Sequence, residues 1–140
     1  LERRHGVTGV SEVAVLPVIG TKELIAWLPT LLALSADDLV VVPELAYPTY
    51  DVGARLAGTQ VRYADSLTQL GPESPALVYV NSPSNPTGQV LGVDHLRKVV
   101  GWARERGALV RQIAARAHPH PDGSSTAVWN WTVSFQRARA

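Results

Sequence analysis

From the start of the chain to Val110, short runs of β-branched residues alternate with stretches whose apolar side chains recur at helical spacing. A brief apolar run, Val13 to Leu16, precedes Pro17-Val18-Ile19-Gly20. Beyond it Leu24, Ile25, Leu28, Leu31 and Leu32 share one face of a helix, in which Pro29 predicts a kink. Leu39-Val40-Val41-Val42 is a continuous apolar run, the pattern of a parallel strand covered on both faces. A turn-rich segment, Glu44 to Pro48, leads into a helix predicted from Thr49 to Ala57, with Gly58 as its terminator. Thr59 to Tyr63 reads as a strand, Gly71 to Pro75 as a loop, and Ala76 to Val80 as a second buried strand. After the polar turn Asn81 to Gly88, Asp94 is placed to cap a long helix carrying Leu96, Val99, Val100 and Ala103. Arg104-Glu105-Arg106-Gly107 ends that helix, and Ala108-Leu109-Val110 begins a further strand.

Strands interleaved with helices of this length predict an α/β fold of βαβ units, with a mostly parallel sheet and right-handed crossovers. Ligands on such sheets bind beyond the carboxyl ends of the strands, where Gly20, Tyr47 and Asn85 all fall. After Val110 the pattern stops. Arg111 to Arg116 does not read as a continuing strand, and His118-Pro119-His120-Pro121-Asp122-Gly123-Ser124-Ser125 is rich in helix and strand breakers. Trp129, Trp131 and Phe135 alternate over a possible short strand with no evident partner. Two segments are therefore expected: a coherent α/β section over 1–110 and a divergent, irregular tail over 111–140.

Composition sharpens that division. The 140 residues hold 46% hydrophobic and 18% charged side chains, enough for one ordinary domain and not for two. With no cysteine there is no disulfide framework, thiolate metal site or cysteine nucleophile, which fits a cytoplasmic protein. The chain opens at Leu1 without methionine or signal-peptide character, and so is expected to be a section of something longer. Its densest apolar stretch, Leu24 to Leu34, falls short of the roughly 20 residues that a membrane span needs. The formal charge of +1 argues against nucleic acid or an anionic surface as partner, yet it is an average. Leu1–Val110 has 9 Lys+Arg against 11 Asp+Glu, net −2, whereas Arg111–Ala140 has four Arg against one Asp, net +3.

Three pieces could carry chemistry. Gly20-Thr21-Lys22-Glu23 opens a helix, so backbone N–H groups, the helix dipole and the Thr21 hydroxyl would face an anion such as phosphate; a plain capped turn would look the same. Tyr47-Pro48-Thr49-Tyr50 offers a rigid aromatic face that could stack on a planar ligand or simply cover the sheet end. In Ser82-Pro83-Ser84-Asn85-Pro86-Thr87-Gly88 two X-Pro bonds and a glycine constrain a loop holding Asn85, whose amide both donates and accepts. Neither a P-loop nor a dinucleotide-binding glycine pattern occurs, and His118 and His120 lack further ligands for a metal.

In this order and at these distances, Gly-Thr-Lys-Glu, Tyr-Pro-x-Tyr and Asn-Pro-Thr-Gly resemble the class I/II aminotransferases, fold-type-I enzymes that use pyridoxal 5′-phosphate. The stretch Val15–Val110 is most similar to the actinobacterial succinyldiaminopimelate aminotransferase group among them. The resemblance covers Leu1 to Val110 and implies part of the three-layer αβα large domain. It implies that Gly20, Thr21 and Lys22 contact the cofactor phosphate, that Tyr47 stacks on the pyridine ring, and that Asn85 donates to the ring's 3′ oxygen. It also implies a cis bond between Asn85 and Pro86, amino acid and 2-oxo acid substrates, and a homodimer for the intact relative.

Two of the family's groups are missing. The Asp of an Asp-Glu-x-Tyr motif should follow almost directly after Val110, where Arg111-Gln112-Ile113 stands; the Schiff-base lysine of a Ser-x-x-Lys setting has no counterpart. Only Lys22 and Lys98 occur, the latter expected on a solvated helix face. No catalytic residue and no metal ligand is therefore assigned, and the chain is expected to be inactive alone. A frameshift after Val110 would explain the tail. The alternative is a non-catalytic cofactor-binding or interaction module that keeps part of such a site.

Overall fold

The computed structural model describes residues 19–116 and 130–136; the expected apolar run Val13–Leu16 and the His118–Ser125 segment lie outside the described residues. The chain runs α1 (Thr21–Leu31), β1 (Leu39–Val42), α2 (Thr49–Leu56), β2 (Gln60–Tyr63), a 3₁₀ turn (Leu67–Gln69), β3 (Leu77–Asn81), α3 (Val93–Glu105), β4 (Leu109–Arg116) and β5 (Asn130–Gln136). One sheet holds the strands in the order β2-β1-β3-β4-β5. The first four are parallel, and β5 pairs antiparallel with β4.

The continuous apolar runs of β1 and β3 are explained by burial on both faces. Val40, Val42, Leu77 and Tyr79 point to one side, against Ile25 and Leu28 of α1 and Tyr50 and Ala54 of α2. Val41, Val78, Val80 and Val110 point to the other, against Val99 and Ala103 of α3 and Leu70, which follows the 3₁₀ turn. Each such side chain removed from water contributes about 1.5–3 kcal/mol, so neither helical layer can be dispensed with. The result is the expected three-layer α/β/α arrangement on a mostly parallel sheet.

Helix α1 runs through the fully buried Pro29 to Leu31. Proline lacks an N–H, so the carbonyl of Ile25, one turn earlier, has no helical donor. The Tyr79 hydroxyl supplies it, donating to that oxygen at 3.1 Å from the middle of the sheet. Helix α2 lies very close behind: a Cβ on Gly53 would stand 2.6 Å from the Ala26 carbonyl oxygen and 2.7 Å from its Cα. Glycine is required there by the closeness of the two helices.

Two expectations are corrected. The long helix is capped by Gly92 in extended conformation rather than by Asp94, which sits in the first turn and pairs with Arg97 at 3.0 Å. A carboxylate near a helix start is favourable at either position, so sequence alone could not choose the register. The second correction concerns the tail, expected to be irregular from residue 111. β4 instead continues to Arg116, pairing with β3 as far as Asn81↔Ile113, and β5 pairs along its outer edge from Val110↔Gln136 to Arg116↔Asn130. A strand edge exposes unpaired N–H and C=O groups, and the alternating β-formers around Trp131 to Phe135 are suited to meet them.

Replacing Tyr79 by Phe leaves the Ile25 carbonyl buried without a donor, and chemical denaturation should show a loss of about 1–3 kcal/mol; an unchanged midpoint would remove this bond from the account. Gly53→Ala tests the helix contact. Alanine in an exposed helix gains about 1 kcal/mol over glycine, so a net loss of about 1–2 kcal/mol is expected only if the helices must separate.

Candidate functional site

Because β1, β3 and β4 are parallel neighbours, their carboxyl ends lie along one edge of the sheet, and the candidate residues sit on the segments leaving it. β1 exits through Pro43 to Pro48 into α2, carrying Tyr47 with 42% of its surface exposed. The Lys22 ammonium lies 5.6 Å from the centroid of that ring, within the range of a cation–π contact. Lys22, Glu23, Trp27, Tyr47, Pro48 and Val52 line one open groove between α1 and α2. Two pieces far apart in sequence, Gly-Thr-Lys-Glu and Tyr-Pro-x-Tyr, are thus neighbours.

At the start of α1, Gly20 is extended (φ −158°, ψ 147°) and makes no side-chain cap. The first helical bond runs from the Leu24 N–H to the Gly20 carbonyl at 3.2 Å, so the N–H groups of Thr21, Lys22 and Glu23 face out of the helix. The Glu23 carboxylate folds back over Gly20, and a Cβ at residue 20 would collide with it. A carboxylate at a helix start is electrostatically favourable, and the missing Cβ of Gly20 leaves it room.

Asn85 is half-buried at the tip of the loop that follows β3. The Asn85–Pro86 bond is cis, as expected, and so is Ser82–Pro83; Gly88 adopts φ +72° to turn the chain. Asn81, the last residue of β3, donates through Nδ2 to the Asn85 carbonyl at 3.3 Å. The Asn85 side chain makes no hydrogen bond with Lys22 or Tyr47 among the described residues; it stands on the neighbouring strand's exit, along the same edge. On the α3 side of that edge lies a cavity of about 280 Å³, walled by Asp65, Asn81, Ser84, Thr87 and His95 over a floor of Val41, Val78 and Val80.

Sequence reasoning missed the buried polar group beneath the site. Tyr50 and Tyr79 meet edge to face, ring centroids 5.0 Å apart at 69°. The Arg111 side chain, fully buried, lies behind them, and burial lowers its pKa while the two tyrosines act in the opposite sense. In the sequence, Arg111 is notable only for standing where the family's Asp belongs. The signal available was the Tyr50–Tyr79 pair in otherwise apolar positions, together with Pro29 one turn after Ile25. Burial pushes the Tyr50 phenol up to about 12, against the opposing pull of the Arg111 charge, and raises that of Tyr79 further.

A sequence model of the family described as aminotransferase class I and II matches residues 1–111. The chain is 80% identical over 110 residues to a probable aminotransferase of Mycobacterium tuberculosis, an alignment covering 79% of this chain and 26% of that protein. It is 56% identical, again over 110 residues, to the 4-dedimethylamino-4-oxo-anhydrotetracycline transaminase OxyQ of Streptomyces rimosus, covering 79% of this chain and 30% of that one. Among solved structures, a probable N-succinyldiaminopimelate aminotransferase from Thermus thermophilus superposes with a TM-score of 0.68 at 29% identity, over 83% of this chain and 34% of that one. The chain spans about a quarter to a third of the length of these relatives.

The tyrosine pair makes stability depend on alkaline pH. A phenol whose pKa is higher in the folded chain than the unfolded value of 10.0 contributes stability that is whole below pH 10 and is lost as pH rises toward about 12. For Tyr50 the loss amounts to roughly 2–3 kcal/mol. Denaturation measured from pH 9 to 12 should show a decline that is shallower in Tyr50→Phe; parallel curves for the two proteins would contradict it.

Proposed function

Because the chain belongs to the class I and II aminotransferases, a pyridoxal-phosphate-dependent family, we propose that it carries the phosphate- and ring-binding part of a cofactor site. The intact counterpart transfers an amino group between an amino acid and a 2-oxo acid. The observation that carries this reading is the meeting of Lys22 and Tyr47 at the uncapped start of α1. Outward N–H groups at Thr21 and Lys22, the Thr21 hydroxyl and the Lys22 charge suit a dianionic phosphate, which would displace the Glu23 carboxylate. The exposed ring of Tyr47 suits a flat heterocycle, and the Asn85 amide suits a phenolic oxygen. When bound, the cofactor supplies an electron sink for bonds at the substrate's Cα.

What these residues do is bind and orient. Proton transfer at the substrate needs a base, and the two lysines do not provide one: Lys22 stands over Tyr47, and Lys98 lies exposed on α3. Arg111 follows Val110 where the family's Asp is expected, and it is a cation buried behind Tyr50 and Tyr79. The chain by itself is therefore read as inactive in amino transfer, and a non-catalytic cofactor-binding module is the second reading that the same two lysines favour. For the intact counterpart, the succinyldiaminopimelate step of lysine biosynthesis is the substrate reading, supported by the name of the Thermus thermophilus structure. The end of the family match at residue 111 supports reading the residues after it as a departure from the family pattern, as a frameshift would produce.

Titrating the purified chain with pyridoxal phosphate by equilibrium dialysis should give saturable binding. Thr21→Ala and Asn85→Ala should each weaken it about tenfold, the worth of one hydrogen bond to a charged oxygen. Absence of binding at millimolar ligand would end the reading. The same preparation should show no amino transfer, and one of the other two frames of its gene beyond Val110 should encode Asp-Glu-x-Tyr and then Ser-x-x-Lys; absence from both refutes the frameshift.

A further inference from the structure

Asn85 can serve the cofactor only if the loop that carries it is held against the sheet. Several bonds close the loop on itself or onto its own base. The Gly88 N–H donates to the Ser84 carbonyl at 2.7 Å, the Ser84 N–H to the Gln89 carbonyl at 2.8 Å, and the Gln89 N–H to Thr87 Oγ1 at 3.2 Å. The Leu91 N–H donates to Ser82 Oγ at 3.0 Å. These bonds make a stiff knot. Asn81 ties it to β3: its Nδ2 reaches the Asn85 carbonyl, while its backbone is held in the strand by pairing opposite Ile113.

The residue type itself needs explaining. Asn81 ends a strand whose other members, Leu77, Val78, Tyr79 and Val80, are apolar or aromatic, and it is only 5% exposed. Its Oδ1 is buried without a hydrogen-bond partner among the described residues, an arrangement that ordinarily selects against an amide. A valine would fill the strand end without that cost but could not donate to the loop.

We propose that Asn81 is a positioning residue: anchored in β3, it holds the Asn85 carbonyl and so sets the direction in which the Asn85 amide leaves the backbone, toward the ring's 3′ oxygen. The proposal rests on the cofactor reading above for the identity of that oxygen. In this role Asn81 acts through the loop, by its bond to the Asn85 carbonyl.

Asn81→Asp keeps the shape and removes the donor; Asn81→Ser shortens the side chain without adding charge, should the aspartate variant fail to fold. In the full chain, either should speed hydrogen exchange at the Gly88 and Leu91 amides about tenfold, with the amides of β1 and α1 unchanged. Either should also weaken pyridoxal phosphate binding about tenfold, but not in an Asn85→Ala background, and not for an analogue lacking the 3-hydroxyl group. Unchanged loop exchange, or a loss of affinity that persists without Asn85, overturns the proposal. Should the unaltered chain show no saturable binding, the cofactor reading fails by itself, and loop exchange still decides whether Asn81 holds Asn85.

Discussion

Burial of β1 and β3 on both faces is the constraint from which the rest follows. A strand with apolar side chains pointing both ways cannot rest on a single helical layer, so α1 and α2 must cover one side and α3 the other. Helices on both sides require crossover connections, and crossovers make the strands parallel. Parallel strands place all their carboxyl ends on one edge, and Tyr47 and Asn85 are found there because they leave adjacent strands.

The helix start that faces Tyr47 depends on a less obvious set of contacts. Pro29 removes a backbone donor from the last turn of α1, yet the helix stays seated because Tyr79 reaches up from the sheet to the orphaned carbonyl of Ile25. Gly53 then lets α2 approach the backbone of Ala26 closely enough to hold that helix from behind. Through these contacts the buried side of the sheet determines where Gly20, Thr21 and Lys22 lie relative to the ring.

Much of this was legible in the residues. Continuous apolar runs marked β1 and β3, 3.6-residue periodicity marked the helices, and the dense constraint of Ser82 to Gly88 marked the loop of Asn85, while the cis bond at Pro86 was implied by the family resemblance. Less legible were features that depend on residues distant in sequence. Asp94 was a plausible cap, but Gly92 sits where the chain turns into α3. The strand after Val110 escapes a reading of the sequence because Arg111 breaks the apolar pattern, whereas its backbone pairs with β3 regardless of side chain, and its guanidinium finds a buried place behind two tyrosines. Backbone pairing follows a neighbouring edge, and no periodicity within the segment announces it.

By itself, the sequence determined the layering, the alternation of strands and helices, and the identities of the candidate groups at one sheet edge, because burial acts on local patterns that can be read residue by residue. The tertiary structure alone decided that Lys22 stands over Tyr47, that Tyr79 supplies the donor that Pro29 lacks, and that Asn81 reaches the Asn85 carbonyl. The first two join groups more than twenty residues apart, and the third depends on a loop whose path the strand end sets. A hydrogen bond or ring contact of that kind needs atoms brought within a few ångströms, and only the folded packing fixes such distances.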